Sequence, residues 1–86
     1  MLYLVIERFL SGPQSIRDRY NERGRMFPDG LIYRDSWLDE AGTTCYQLMQ
    51  SPDPALFAEW TNKWDDLVAF EIVPVYQSAE FWARFT

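Results

Sequence analysis

Two apolar segments near opposite ends of the chain constrain its fold more than anything between them. Leu2-Tyr3-Leu4-Val5-Ile6-Glu7-Arg8-Phe9 and Val68-Ala69-Phe70-Glu71-Ile72-Val73-Pro74-Val75-Tyr76 are β-branched and aromatic almost throughout, and each carries a single glutamate. A strand without clean polar alternation is one covered on both faces. Two such strands are expected to pair at the centre of one sheet. With 86 residues, the whole chain, 1–86, is a single domain close to the lower size limit for folding without staples.

The residues between them read as alternating elements. Ser11-Gly12-Pro13 breaks the first strand, and Pro13 suits the first turn of a helix running from Gln14 to Arg23. In that helix only Ile16 and Tyr20, four apart, offer a stripe for burial. Gly24 is the expected C-cap. Leu31 to Leu38 and Thr43 to Gln50 read as strands joined by the hairpin composition Asp39-Glu40-Ala41-Gly42. Asp53 and Pro54 open a second helix, along which Leu56, Trp60, Trp64 and Leu67 recur at helical spacing. Pro74 lacks an amide donor, so the fourth strand belongs at a sheet edge or ends its pairing there. Ser78 caps a short last helix whose Phe81, Trp82 and Phe85 are too apolar to lie free in water. Trp82 is expected to be buried against its own sheet or a partner's.

The resulting fold class is α+β. A ferredoxin-like βαββαβ domain, with a four-stranded antiparallel sheet, both helices on one face and a short C-terminal helix, accommodates the order with short connections. Hydrophobic residues make up 48% of the chain and aromatics 17%, more than so small a domain hides easily. The uncovered sheet face is therefore expected to meet a second copy of the chain.

Composition also excludes functions. A net charge of -5 leaves no basic stripe for a phosphate backbone, so nucleic acid is not an expected partner. No segment reaches membrane-spanning length, and Leu2 to Ile6 is too short for a signal core, so no membrane partner and a cytoplasmic location are expected. The chain has no histidine, which removes the usual neutral-pH base, the commonest metal ligand and the usual haem ligand. No metal and no cofactor are expected. The lone Cys45 reads as a small buried hydrophobe, since nothing in the sequence activates it.

Period-2 reading then sorts the strand residues by face. Placing the most apolar sets under the helices puts Leu2, Leu4, Ile6, Tyr46, Leu48, Phe70 and Ile72 there. Tyr3, Val5, Glu7, Cys45, Gln47, Met49, Ala69, Glu71 and Val73 are left on the open face. The second strand is ambiguous, with Arg34 and Ser36 alternating against Tyr33, Asp35 and Trp37. On this assignment Glu7, Gln47 and Glu71 share an apolar surface, and Arg34 is the cation chosen to offset them.

The element order, the opening Leu-Tyr-Leu-Val-Ile-Glu-Arg-Phe, the segment Arg23-Gly24-Arg25-Met26, the run from Trp64 to Val75 and Ser78-Ala79-Glu80-Phe81-Trp82 resemble a small bacterial family labelled only as a domain of unknown function. The resemblance covers essentially the whole chain and implies a dimeric α/β barrel, in which two ferredoxin-like sheets pack face to face. It implies no activity. The wider barrel superfamily includes cofactor-free monooxygenases, isomerases, haem-degrading enzymes and peroxidases, but a shared fold does not transfer chemistry.

Two functional readings follow. The favoured one is a homodimer that binds a small molecule, or another protein, in or beside the barrel without chemistry, with Tyr3, Arg34, Trp37 and Gln47 as candidate ligand-binding residues. The alternative is a cofactor-independent monooxygenase- or isomerase-like enzyme acting on a small aromatic substrate, with Glu7 and Glu71 as candidate proton-transfer residues. Arg23 and Arg25 around Gly24 could hold an anion, but basic residues at a helix end also complement its dipole, and that reading is preferred. Trp60 and Trp64 are assigned to the core, whereas Trp37 and Trp82 are assigned to a cleft or a subunit interface. Asp65 and Asp66 read as solvated turn residues. The discriminating expectation concerns Glu7 and Glu71: if they adjoin without a cation, one is pushed toward neutrality. Pairing with Arg34 or Arg8 keeps both ionised.

Overall fold

In the computed structural model, which describes residues 1–85, the elements follow the expected order. They are β1 (Leu2–Phe9), α1 (Pro13–Arg23), β2 (Ile32–Leu38), β3 (Thr44–Gln50), α2 (Ala55–Thr61), β4 (Val68–Val75) and α3 (Ser78–Trp82), with a final 3-10 turn over Ala83–Phe85. The strands form one antiparallel sheet in the order β2-β3-β1-β4. This is the ferredoxin-like arrangement. The terminal strands are neighbours, but only β1 is central; β4, with Pro74, is an edge.

Local chemistry sets the boundaries. Gly24 adopts φ 70°, a conformation that L side chains resist, and its amide donates to the Tyr20 carbonyl at 2.7 Å. The β2–β3 hairpin turns on Gly42, also at positive φ, while the Asp39 carboxylate accepts from the Thr43 amide and hydroxyl and from the Thr44 amide. Asp53 Oδ1 accepts from the Ala55 amide and so opens α2. That helix is shorter than the Leu56–Leu67 spacing predicts. It ends at Thr61, and a series of turns over 62–67 keeps Trp64 buried and returns the chain to β4.

The core lies between the sheet and the helices. Tyr3, Val5, Leu31, Met49, Phe57, Trp60, Trp64 and Val68 are its buried members, with Phe70 and Ile72 packed against them. Edge-to-face ring contacts join α2 to the sheet: Tyr3 to Phe57 at 4.8 Å and Trp60 to Phe70 at 5.2 Å. The expected faces are thus right for β4 and reversed for β1 and β3. Tyr3, Val5, Glu7, Cys45, Gln47 and Met49 are buried under the helices, whereas Leu2, Leu4, Ile6, Tyr46 and Leu48 lie on the open side. The reason is that both alternating sets of β1 are apolar, so residue type alone cannot orient the strand. In β2 the alternation slips at a bulge between Tyr33 and Asp35, leaving Arg34 as the extra residue. Tyr33 and Ser36 therefore pair with the helix-side Met49 and Gln47, while Asp35 and Trp37 pair with Leu48 and Tyr46 of the open side.

Among the described residues, no helix covers the open face. The molecule measures 48 × 30 × 17 Å, a sheet with one helical layer. Its accessible surface is 5756 Å², against about 5,300 Å² for a compact monomer of this mass. The tail stacks on itself: Phe81 contacts Trp82, Phe85 and Tyr76, and the Arg84 guanidinium lies 4.5 Å from the Tyr76 ring centre. Trp82 is 62% exposed, so within its own chain it is not buried against the sheet as expected.

Trp60 joins α2, the Phe27 loop and β4 through two ring contacts at 4% exposure. Trp60→Ala should cost about 3–5 kcal/mol, read as a lower urea midpoint with an unchanged m-value.

Candidate functional site

None of the residues of α1 is fully buried. The helix stands off the sheet, and the space beneath it is a cleft of about 330 Å³. Its floor is Glu7, Cys45 and Gln47 from the centre of the sheet; Ile16, Arg17 and Tyr20 of α1 form one wall, and Trp60, Trp64 and Phe9 close the apolar end. The volume is that of a pocket for a small organic molecule. Arg19 holds α1 at this distance. Its guanidinium binds both oxygens of Asp66 at 2.6 and 2.7 Å and also donates to the Lys63 carbonyl. Asp66, expected to be a solvated turn acid, is thus half of a two-point clamp, and the Arg19 hydrogen bond holds its carboxyl below the ordinary range.

Glu7 is the acid on the cleft floor. It is 9% exposed, and Oε2 is buried without a hydrogen-bond partner. Desolvation raises its pKa to about 7, with the Arg25 charge pulling the other way. At neutral pH this carboxyl is close to half-protonated and can give or take a proton. Burial and the neighbouring Glu7 charge push the Cys45 thiol up to about 11, so it remains protonated and unreactive.

Arg25 reaches the cleft because the chain turns out of α1 at Gly24, and Met26 follows in the left-handed region at φ 61°. A non-glycine residue there carries local strain. The Arg25 guanidinium lies 3.7 Å from the Tyr33 ring centre. Its own carbonyl accepts from Trp64 Nε1 at 3.1 Å, and Lys63 Nζ donates to the Met26 carbonyl. Arg25 thus lies beyond the helix, and the expected role of complementing the helix dipole does not hold for it. The available clue was Gly24: a residue past the C-cap is outside the last turn.

The structure divides the other expected site residues. Glu7 and Gln47 line the cleft together. Glu71 lies on the opposite face, paired with Arg8 at 3.1 Å where both side chains are about half exposed. The expectation that Glu7 and Glu71 share a surface is overturned by the reversed facing of β1, and Arg8 is the partner of Glu71 alone. Tyr3 is in the core beside Phe57. Trp37 is exposed on the open face, and Arg34 at the bulge lines a separate shallow groove with Met1, Gln50, Tyr76 and Glu80. Trp60 and Trp64, assigned to the core, are core residues that also border the cleft. Among the described residues, no group of three or more Cys, Asp or Glu is placed to hold a metal ion.

The fold and cleft define a ferredoxin-like α+β domain with a buried acid between its sheet and first helix. The chain belongs to the family described as a domain of unknown function, DUF3303, whose model matches residues 1–86. No curated protein and no solved structure matches it.

The Glu7 carboxyl makes stability depend on pH. Its folded pKa of about 7 exceeds the reference value of 4.5, so the folded state holds the extra proton between these values. Stability from this group is complete below the lower value and is lost as pH rises through the upper one. Wild type should lose about 2 kcal/mol relative to Glu7→Gln between pH 5.5 and pH 8, measured as the difference of their urea midpoints. Parallel pH profiles would show that the carboxyl titrates normally.

Proposed function

We propose that this domain binds a small organic molecule in the Glu7 cleft, and that two copies associate through their open sheet faces. The carrying observation is the buried carboxyl with an unpartnered oxygen at the floor of a cleft whose walls are mainly aromatic and aliphatic, with Arg17, Arg25 and Gln47 as further polar groups. A buried polar group without a partner costs stability, and one at the floor of a cleft is placed where a ligand could supply the missing partner. The ligand's ring would lie against Trp60, Trp64 and Phe9, with its polar end toward Glu7, Gln47 and Arg25. No cofactor is needed for this reading, and a cytoplasmic setting accords with a reduced, buried Cys45.

The second copy is supported by the surface excess and by the character of the bare face. Leu2, Leu4, Ile6, Leu48, Val73 and Val75 form a continuous apolar field on it, with Arg8 and Glu71 paired at one end. Two such sheets packed face to face would give each the covering layer it lacks. A second functional reading, cofactor-independent proton transfer on a small aromatic substrate, is favoured by the near-neutral pKa of Glu7. In that reading Glu7 takes a proton from the substrate and returns it, without help from Glu71.

Both parts are testable. The protein should sediment as a dimer at micromolar concentration, and Leu48→Arg should yield a folded monomer; a wild-type monomer would remove the dimer. Single-ring phenols and quinols, assayed for turnover, test the chemical reading. Product formation abolished by Glu7→Gln would establish the enzyme, and binding without turnover would leave a binding domain.

A further inference from the structure

The character of the ligand can be narrowed, granting that the cleft is a ligand site. We infer that it takes a small carboxylate built on one apolar ring, and takes it up together with a proton that comes to rest on Glu7. The argument begins with charge. Arg17 and Arg25 both line the cleft, and among the described residues neither has a carboxylate within ion-pair distance. The chain carries a net charge of -5, and Arg8, Arg19 and Arg23 each have an acidic partner, so acids are at hand and these two cleft cations are not matched to one. Arg17 and Arg25 instead rest against rings, Arg17 at 5.1 Å from the Tyr20 centre and Arg25 at 3.7 Å from that of Tyr33. Their N–H groups stay available at the edges of the planar guanidinium. Among the described residues, Glu7 is the only carboxylate that lines the cleft.

Two cations facing one half-ionised acid leave the cleft positive, so an anionic group is favoured over an amine. A ligand carboxylate brought beside Glu7 would meet like charge if both stayed ionised. Two carboxyl groups in one site resolve this by sharing a proton. The proton enters from solvent. The Glu7 O–H then donates to one ligand oxygen, and a guanidinium donates to the other. No bond in the ligand breaks. The other groups facing Glu7 do not change this balance: Cys45 of β3 stays a thiol, Gln47 is neutral, Tyr20 of α1 is a phenol, and Val68 of β4 and Trp60 of α2 carry no charge.

The apolar walls set the rest of the ligand. Phe9, Ile16, Trp60 and Trp64 leave room for one ring and offer nothing to a second charge.

Benzoate, phenol and benzylamine share a ring and differ in the polar head, and the two tryptophans at the cleft report binding by fluorescence. Benzoate should bind most tightly and should weaken by up to tenfold per pH unit above pH 7. Calorimetry in two buffers of different ionisation enthalpy should show net proton uptake. Glu7→Gln should retain benzoate binding, with its amide as donor, and should abolish both the pH slope and the proton uptake. Arg25→Gln should weaken benzoate at least tenfold and leave phenol unchanged. Preference for phenol or benzylamine, or benzoate binding without proton uptake, would overturn this inference while leaving the cleft a ligand site. Failure of all three probes to bind would overturn the inference and the binding-site reading together.

Discussion

The structure depends on a central strand that is apolar on both faces. β1 has neighbours on each side and presents Tyr3 and Val5 to one layer and Leu2, Leu4 and Ile6 to the other. A small domain with two short crossover helices can cover only one of those faces, because both crossovers of this topology lie on the same side. The other features answer to that limit. The aromatic weight of α2 makes one layer sufficient where it exists, and the bare side retains the composition of an interior. The excess of accessible surface is the same fact expressed as area.

Within the covered layer the packing is uneven, and the unevenness creates the site. α2 is driven onto the sheet by Phe57 and Trp60, whereas α1 has only Ile16 and Tyr20 to offer. It is tethered at a distance by the Arg19–Asp66 clamp and does not sink into the core. A polar helix held above a sheet leaves a void, and the central strand places its single acid at the bottom of it. The stability Glu7 forgoes on ionising is tolerated because the remaining layer is dense with indole and phenyl rings.

Much of the fold was legible in the sequence because it rests on punctuation. Gly24, the Asp39–Gly42 turn and Asp53 with Pro54 each mark a boundary for a local reason, Pro74 marks an edge strand, and the strand order follows from short connections. The face assignments of β1 and β3 were not legible, since Leu4 and Val5 satisfy an interior equally well. Which set faces the helices goes with the packing of Tyr3 and Val5 against the rings of α2, which residue type alone does not reveal. The Arg34 bulge defeated the reading of β2 for a related reason: one unpaired residue shifts every later side chain to the other face. Glu7 could be named as a candidate from its apolar surroundings. Its pairing with a cleft, and the presence of Arg25 there, required the distance at which α1 stands.

The two edges of the sheet have a bearing on how this protein behaves at high concentration. An exposed edge strand is a template on which further strands can add, and a chain this apolar would be at risk of growing into fibres. Here β4 carries Pro74, which has no amide to donate, and β2 is interrupted by its bulge at Arg34. Each edge therefore spoils the register of any strand that tries to extend the sheet sideways. The face-to-face pairing proposed above would lie out of the sheet plane, where joining two faces uses both up and growth stops.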